Sequence, residues 1–180
     1  LNAGPGYGGS CLPKDMKALI SFADKIGINP ILLNAVEKTN QKQIQNIVSL
    51  MEKTLGTLTS KRITVLGTAF KPNTDDVRDS IAIELIKKLL KKKSRITIYD
   101  PKAMKNTRNI FGEKIIYAKS VNDALNKSQC TILMTYWKQF ERLDNNSMKH
   151  MSKKFIIDCR RILVEKELHG EYHAIGIGKI

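Results

Sequence analysis

Residues 61–180 alternate short β-branched runs with helical patterns, behind one long amphipathic stretch. Together these predict an α/β protein, a long connecting helix followed by a parallel sheet. Several of the runs, among them Arg62–Leu66 and Phe155–Asp158, are almost continuously apolar. That is the pattern of strands covered on both faces. The helical stretches between them imply βαβ units with right-handed crossovers.

The elements follow in order. Residues 1–29 read as a glycine-rich loop and a short helix, with Pro13 suited to its first turn and Gly27 to its end. A second helix is expected from Pro30 to Leu55, with Asn29 as N-cap and Gly56 as terminator. Leu33, Val36, Ile44, Ile47, Met51 and Leu55 recur at helical spacing, and Asn40 is the one polar break in that stripe. Such a helix would be about 37 Å long. It either joins two domains, packs against a partner subunit, or is an ordinary core helix; the pattern alone does not decide. Strands are then expected at Arg62–Leu66, Arg95–Tyr99, 114–117, 131–134, Phe155–Asp158 and 174–177, with helices at 80–92, 121–127 and 137–143. The fold class is α/β, Rossmann-like from residue 57 onward, with residues 1–56 as a separate loop-plus-helix region.

Composition narrows the function. The formal net charge is +14 over 180 residues, which raises nucleic acid, membrane surfaces and anionic substrates as partners. The densest run, Lys87, Lys88 and Lys91 to Lys93, falls on the outer face and end of an expected helix, where cations suit the macrodipole. Aromatic residues make up only 6% and are not interleaved with lysine, which argues against a nucleic-acid groove. No apolar run approaches the roughly 18 residues of a membrane span. Cys11, Cys130 and Cys159 are odd in number and lack metal-type spacing, favouring a reducing, cytoplasmic setting with no metal.

The chemistry points to the stretch Gly4-Pro5-Gly6-Tyr7-Gly8-Gly9-Ser10-Cys11-Leu12-Pro13-Lys14-Asp15. Its formal G-x-G-x-x-G match (Gly4, Gly6, Gly9) is not a dinucleotide fingerprint. No strand precedes it, and a proline occupies its tight turn. Its glycines instead let the backbone approach a ligand closely. Cys11 lies just ahead of a helix, where N–H groups and the dipole stabilise a thiolate. Lys14 adds charge, and Asp15 shares a helix face with Cys11 if the helix begins there. A structural cysteine in a loop is the plainer alternative; the glycines, Lys14 and Asp15 favour a nucleophile beside an acid–base partner.

The run GYGGSCLPKD is similar to the signature of the UDP-glucose/GDP-mannose dehydrogenase family, which oxidises the C6 alcohol of a nucleotide sugar to a carboxylate with two NAD. The resemblance implies that Cys11 attacks the intermediate aldehyde and that Asp15 assists the water or proton-transfer steps. It implies that Lys14 approaches NAD, while Leu1, Asn2, Ala3, Gly4, Tyr7 and Gly8 hold the UDP-sugar. A second segment, FKPNTDDVRDS from Phe70 to Ser80, follows the first expected strand and resembles the family's second hallmark. By that resemblance Lys71 contacts the sugar and Arg78 reaches NAD. Read from its residues alone, the segment is a polar turn with Asp79 or Ser80 as N-cap of the next helix. Tyr99-Asp100-Pro101, Thr135-Tyr136-Trp137 with Phe140, and Asp158-Cys159-Arg160-Arg161 extend the match. Here Tyr136 replaces the family's usual acid and Cys159 its glycine, and Arg160 takes the UDP-binding role.

The resemblance implies a UDP-binding Rossmann-like domain, UDP-glucose as substrate, and a homodimer through the central helix. GDP-mannose, another UDP-hexose, or a non-catalytic UDP-sugar-binding module are the alternatives. The family's NAD-binding domain has no counterpart in these residues, so the chain by itself is expected to fold but not to turn over. Neither nucleic acid nor membrane is expected as a partner.

Overall fold

The structure, a computed structural model, describes residues 4–179. Two helices lead. Helix α1 (Leu12–Lys25) starts at Cys11, whose carbonyl accepts the Asp15 N–H at 2.8 Å, and Gly27 follows its end at φ +76°. Helix α2 (Ile31–Leu55) stops at Gly56, at φ +70°, because a left-handed backbone suits a residue without Cβ. Asn29 does not cap α2. Pro30 takes the N-cap position without a side-chain hydrogen bond, and the Asn29 carbonyl accepts the Ile31 N–H at 3.0 Å.

Seven strands form one sheet in the order β3-β2-β1-β4-β5-β6-β7. They are β1 (Arg62–Leu66), β2 (Arg95–Tyr99), β3 (Ile116–Tyr117), β4 (Cys130–Leu133), β5 (Phe155–Asp158), β6 (Glu171–Ala174) and β7 (Gly178–Lys179). All neighbours pair in parallel except β6 with β7. Strands β4 and β5 are buried at every position, and β1 at all but Arg62. Helix α3 (Ile81–Lys91) crosses from β1 to β2, and the short α4 (Met104–Phe111) from β2 to β3. Helices α5 (Val121–Leu125) and α6 (Asn145–Met148) precede β4 and β5. This is the doubly wound, Rossmann-like arrangement expected.

Three local expectations need correction. The strand placed at 174–177 lies earlier, at Glu171–Ala174, and is held at its polar positions by Thr54 Oγ1 donating to Glu171 at 3.1 Å. Residues 137–143 form a 3-10 turn, Lys138–Arg142, rather than an α-helix. The strand at 114–117 shortens to Ile116–Tyr117 because a 3-10 turn at Gly112–Lys114 uses the preceding residues.

The core joins both sheet faces to the second half of α2, where Ile47, Val48 and Met51 are fully enclosed. The first half of α2 is different. Ile31 and Leu32 are 71% and 75% exposed, and Phe22 of α1 59%. Of the stripe read from the sequence, Ile47 and Met51 are core, whereas Leu33 is half-buried and Val36 exposed. Among the described residues, no helix is long and apolar enough to cross a membrane.

Candidate functional site

Strands β1 and β4 are neighbours whose onward chains leave towards different parts of the sheet, so a crevice opens at their carboxyl ends. The segment after β1 is fixed by Asp100, at the end of β2. One of its carboxylate oxygens accepts the Thr68 N–H (2.7 Å), the Ala69 N–H (3.0 Å) and the Trp137 indole N–H (3.3 Å). The other accepts the Lys102 and Ala103 N–H groups at 2.9 and 2.8 Å. Thr135, just past β4, donates its hydroxyl to the Ala69 carbonyl at 2.6 Å. Gly67 is glycine for a steric reason: a Cβ there would come within 2.5 Å of the Thr135 Cβ.

The crevice has a volume of about 310 Å³, within the range of small-ligand sites. Lys71, Met134, Thr135 and Arg160 line it from the sheet side, and Gly6, Tyr7, Gly8 and Leu12 from the N-terminal loop. Arg160 is held by its own Nε, which donates to the Met134 carbonyl at 2.7 Å, and by its backbone N–H on Asp158 at 2.9 Å. Burial works against its charge and lowers its pKa, so an anionic ligand there would find a partly desolvated guanidinium. Arg161 lies outside the crevice, its Nε donating to the Ile175 carbonyl at 3.0 Å. Gly4 passes so close to the Arg160 guanidinium that no Cβ would fit between them. Leu1, Asn2 and Ala3 lie outside the described residues.

Cys11, Lys14, Asp15 and Arg78 do not line the crevice. Cys11 is an exposed free thiol, with the Ser10 hydroxyl 3.8 Å from its sulfur. Lys14 and Asp15 are exposed and 3.6 Å apart. Arg78 clasps Asp76 with contacts of 2.6 to 3.0 Å, and this hydrogen-bonded pairing lowers the Asp76 pKa and raises that of Arg78. The Cys11 sulfur is close enough to contribute to the raised Arg78 value. Ser80, at the N-cap position of α3, turns its hydroxyl to the Thr68 carbonyl at 2.7 Å instead of capping the helix. Cys159 is buried in the core and does not line the crevice, so the loss of glycine there does not crowd it. Tyr136 donates its hydroxyl to Glu141, a carboxylate five residues further on.

Sequence reasoning missed two contributors. Asp100 reads in the sequence as part of a motif, yet its buried carboxylate organises both the Thr68–Ala69 turn and Trp137. Asn40 reads in the sequence as a break in a stripe, yet it holds Tyr7. Its Oδ1 accepts the Tyr7 N–H at 2.8 Å and its Nδ2 donates to the Tyr7 carbonyl at 3.0 Å.

Residues 64–165 match the sequence profile of the UDP-glucose/GDP-mannose dehydrogenase family, UDP binding domain, and residues 1–42 match its central domain. The chain belongs to this family. Among curated relatives, the UDP-glucose 6-dehydrogenase AglM of Haloferax volcanii is 41% identical over 167 residues, covering 93% of this chain and 38% of the relative. The UDP-glucose 6-dehydrogenase TuaD of Bacillus subtilis is 36% identical, covering 98% of this chain and 39% of the relative. A solved UDP-glucose dehydrogenase of Pyrobaculum islandicum superposes with a TM-score of 0.86 at 36% identity, covering 95% of this chain and 38% of that one. This family member therefore spans about two fifths of the length of the relatives it matches.

The family uses NAD, and the described residues do not form a dinucleotide cradle. The N–H groups of Thr68 and Ala69, at the turn after β1 where a pyrophosphate would sit, are already taken by Asp100. Lys14 and Arg78, the two cations that the resemblance assigns to NAD, are paired with Asp15 and Asp76 in the described structure.

Proposed function

We propose that this chain supplies the nucleotide-sugar side of an NAD-dependent UDP-glucose 6-dehydrogenase. The observation that carries this reading is the convergence of Lys71, Arg160 and Gly6–Gly8 on one crevice, also lined by Leu12, the residue that follows the exposed Cys11. In this reading residues 57–180 bind the UDP-sugar, and residues 1–56 present the nucleophile and the subunit contact.

The Arg160 guanidinium receives the anionic part of the nucleotide, aided by backbone N–H groups that the glycines leave uncovered. Lys71 steadies the sugar near C6. The Cys11 thiolate adds to a C6 aldehyde to give a thiohemiacetal, and Asp15 assists the water that later hydrolyses the thioester. NAD supplies the hydride acceptance. It is held mainly by a part of the protein outside these residues, with Lys14 and Arg78 approaching it, so the chain alone folds without turnover. The uncovered apolar residues of α1 and α2 support a homodimer formed along that helix. Free thiols and a soluble cofactor support a cytoplasmic location.

Calorimetric titration with UDP, UDP-glucose, GDP-mannose and a short single-stranded RNA, at low and moderate salt, tests the reading. Saturable binding of UDP and UDP-glucose is expected, with GDP-mannose at least tenfold weaker. Arg160→Ala weakens both UDP ligands, whereas Lys71→Ala weakens UDP-glucose alone. Salt-sensitive RNA binding without any nucleotide-sugar signal would overturn it.

A further inference from the structure

The loop that carries Cys11 has little secondary structure of its own between Gly4 and Ser10, yet a nucleophile must sit within a fraction of an ångström of its target. Helix α2 meets this need. Asn40 presents its amide edge-on to the backbone of Tyr7, accepting at 2.8 Å and donating at 3.0 Å, much as a neighbouring strand would. One turn earlier on the same face, Glu37 accepts the Tyr7 hydroxyl at 2.8 Å. Gly6, at φ +124°, leaves the space its Cβ would fill to the Asn40 amide oxygen. Tyr7 is thus gripped at three atoms by two residues of one helix.

The opposite side of the loop rests on the segment after β1. The Gly9 N–H donates to the Asp79 carbonyl at 3.3 Å, and a Cβ on Gly9 would come 2.6 Å from the Phe70 ring. The loop therefore spans from α2 to the crevice wall, and Cys11 follows Tyr7 by four residues. Asn is the side chain that can do this. Asp cannot donate to the Tyr7 carbonyl, Ser is too short, and an apolar residue in keeping with the stripe would leave both Tyr7 groups unpaired. The clasp is electrostatically consistent: desolvation and Glu37 push the Tyr7 phenol up to about 12, while the Tyr7 and Gln41 hydrogen bonds lower the Glu37 carboxyl.

We propose that Asn40, supported by Glu37, is a positioning residue that sets the Cys11 loop against the crevice, so that the placement of the nucleophile is dictated by α2. The mechanistic consequence rests on the function proposed above; the clasp itself does not.

The test uses the 180-residue chain and Asn40→Ala, with three readouts: UDP affinity, alkylation of Cys11 by iodoacetamide in the presence of UDP or UDP-glucose, and amide hydrogen exchange. Cys130 and Cys159 are buried and report opening of the whole domain. Positioning predicts that UDP still binds through Arg160, that Cys130 and Cys159 stay unreacted, and that the extra protection of Cys11 by UDP-glucose over UDP falls at least fivefold. The Gly9 amide, whose partner is Asp79 rather than Asn40, should exchange at least tenfold faster, with β1 and β4 unchanged. Glu37→Gln, which keeps an acceptor for the Tyr7 hydroxyl, should leave these readouts within twofold of the parent. Unchanged Gly9 exchange overturns the proposal, as does reaction of Cys130 and Cys159 in step with Cys11, which would mark a merely structural role. If UDP-glucose does not bind the parent chain, the function reading falls and Gly9 exchange alone decides the clasp.

Discussion

Replacing Asp100 with Asn is the most searching test of how the crevice is held open. The change is nearly isosteric, so it probes hydrogen bonding rather than volume. The carboxylate serves five N–H donors from both oxygens, and an amide can serve only one set. If the Asn NH2 turns towards Lys102 and Ala103, those two donors lose their acceptor. If it turns towards Thr68 and Ala69, both buried, the Trp137 indole loses its acceptor as well. An unmet buried donor costs about 1–3 kcal/mol, and the Lys102 N–H, being partly accessible, can recover some of this from water. The expected loss is about 2–5 kcal/mol, a substantial share of the roughly 5–15 kcal/mol that a domain possesses. Urea unfolding followed by fluorescence of Trp137, the single tryptophan, measures it at the site of the change. The midpoint should fall with the slope preserved. UDP-glucose affinity should fall too, because the turn that Asp100 holds leads directly into Lys71. A loss below about 1 kcal/mol, with unaltered nucleotide-sugar binding, would refute the view that this carboxylate organises the site.

Other expectations follow from the same geometry. Tyr7→Phe removes a half-buried hydrogen bond to Glu37 and should cost about 0.5–1.5 kcal/mol near neutral pH. Because the Glu37 carboxyl is lowered in the folded chain, chiefly by Tyr7, its contribution is present above the unfolded value and lost as pH falls through the folded one. The gap between parent and variant should therefore close below about pH 4, which urea titrations across pH would reveal. Gly9→Ala forces a Cβ to 2.6 Å from the Phe70 ring at φ +89°; nucleotide-sugar affinity should drop at least fivefold while the unfolding midpoint hardly moves, and calorimetry beside urea titration separates the two. In a thiol titration with a disulfide reagent, one cysteine should react quickly in the native chain and three after denaturation. Burial pushes the Cys130 and Cys159 thiols up, whereas Cys11 is exposed; two or more fast thiols would contradict the buried placement.

Much of this was legible in the sequence, because the residues concerned answer to local rules. Strands β1, β2 and β5 fall where their β-branched runs lie; β1 and β5 are buried on both faces, and β2 alternates buried and partly exposed positions. Helix α2 ends where its periodicity meets Gly56. The glycine loop and Cys11 stand out by residue type and spacing, whereas Lys71 and Arg160 are marked by the motifs that resemble the family's. What local rules miss is whatever depends on a distant partner. Helix α4 has a polar, unremarkable sequence, and tertiary contacts fix its place: Ala103 just before it is bound to Asp100, and Thr107 pairs with Thr68 at 2.8 Å. Strand β6 carries Glu171 and His173, which break the apolar pattern and are tolerated because they bond to each other at 3.1 Å and to Thr54. Trp137 starts a 3-10 turn rather than a helix, with its indole bound to Asp100, 37 positions away.

Asn40 draws the line most sharply. The sequence by itself marks it as a polar residue interrupting an apolar stripe, and nothing within a helical turn explains it. Its partner lies 33 residues earlier, and only the folded chain brings the two within hydrogen-bond reach. Residue type and periodicity determined which groups were available for chemistry and which segments could form the sheet. The tertiary structure alone decided which of those groups meet, because hydrogen bonds between distant residues depend on distance and direction in space and leave no periodic trace along the chain.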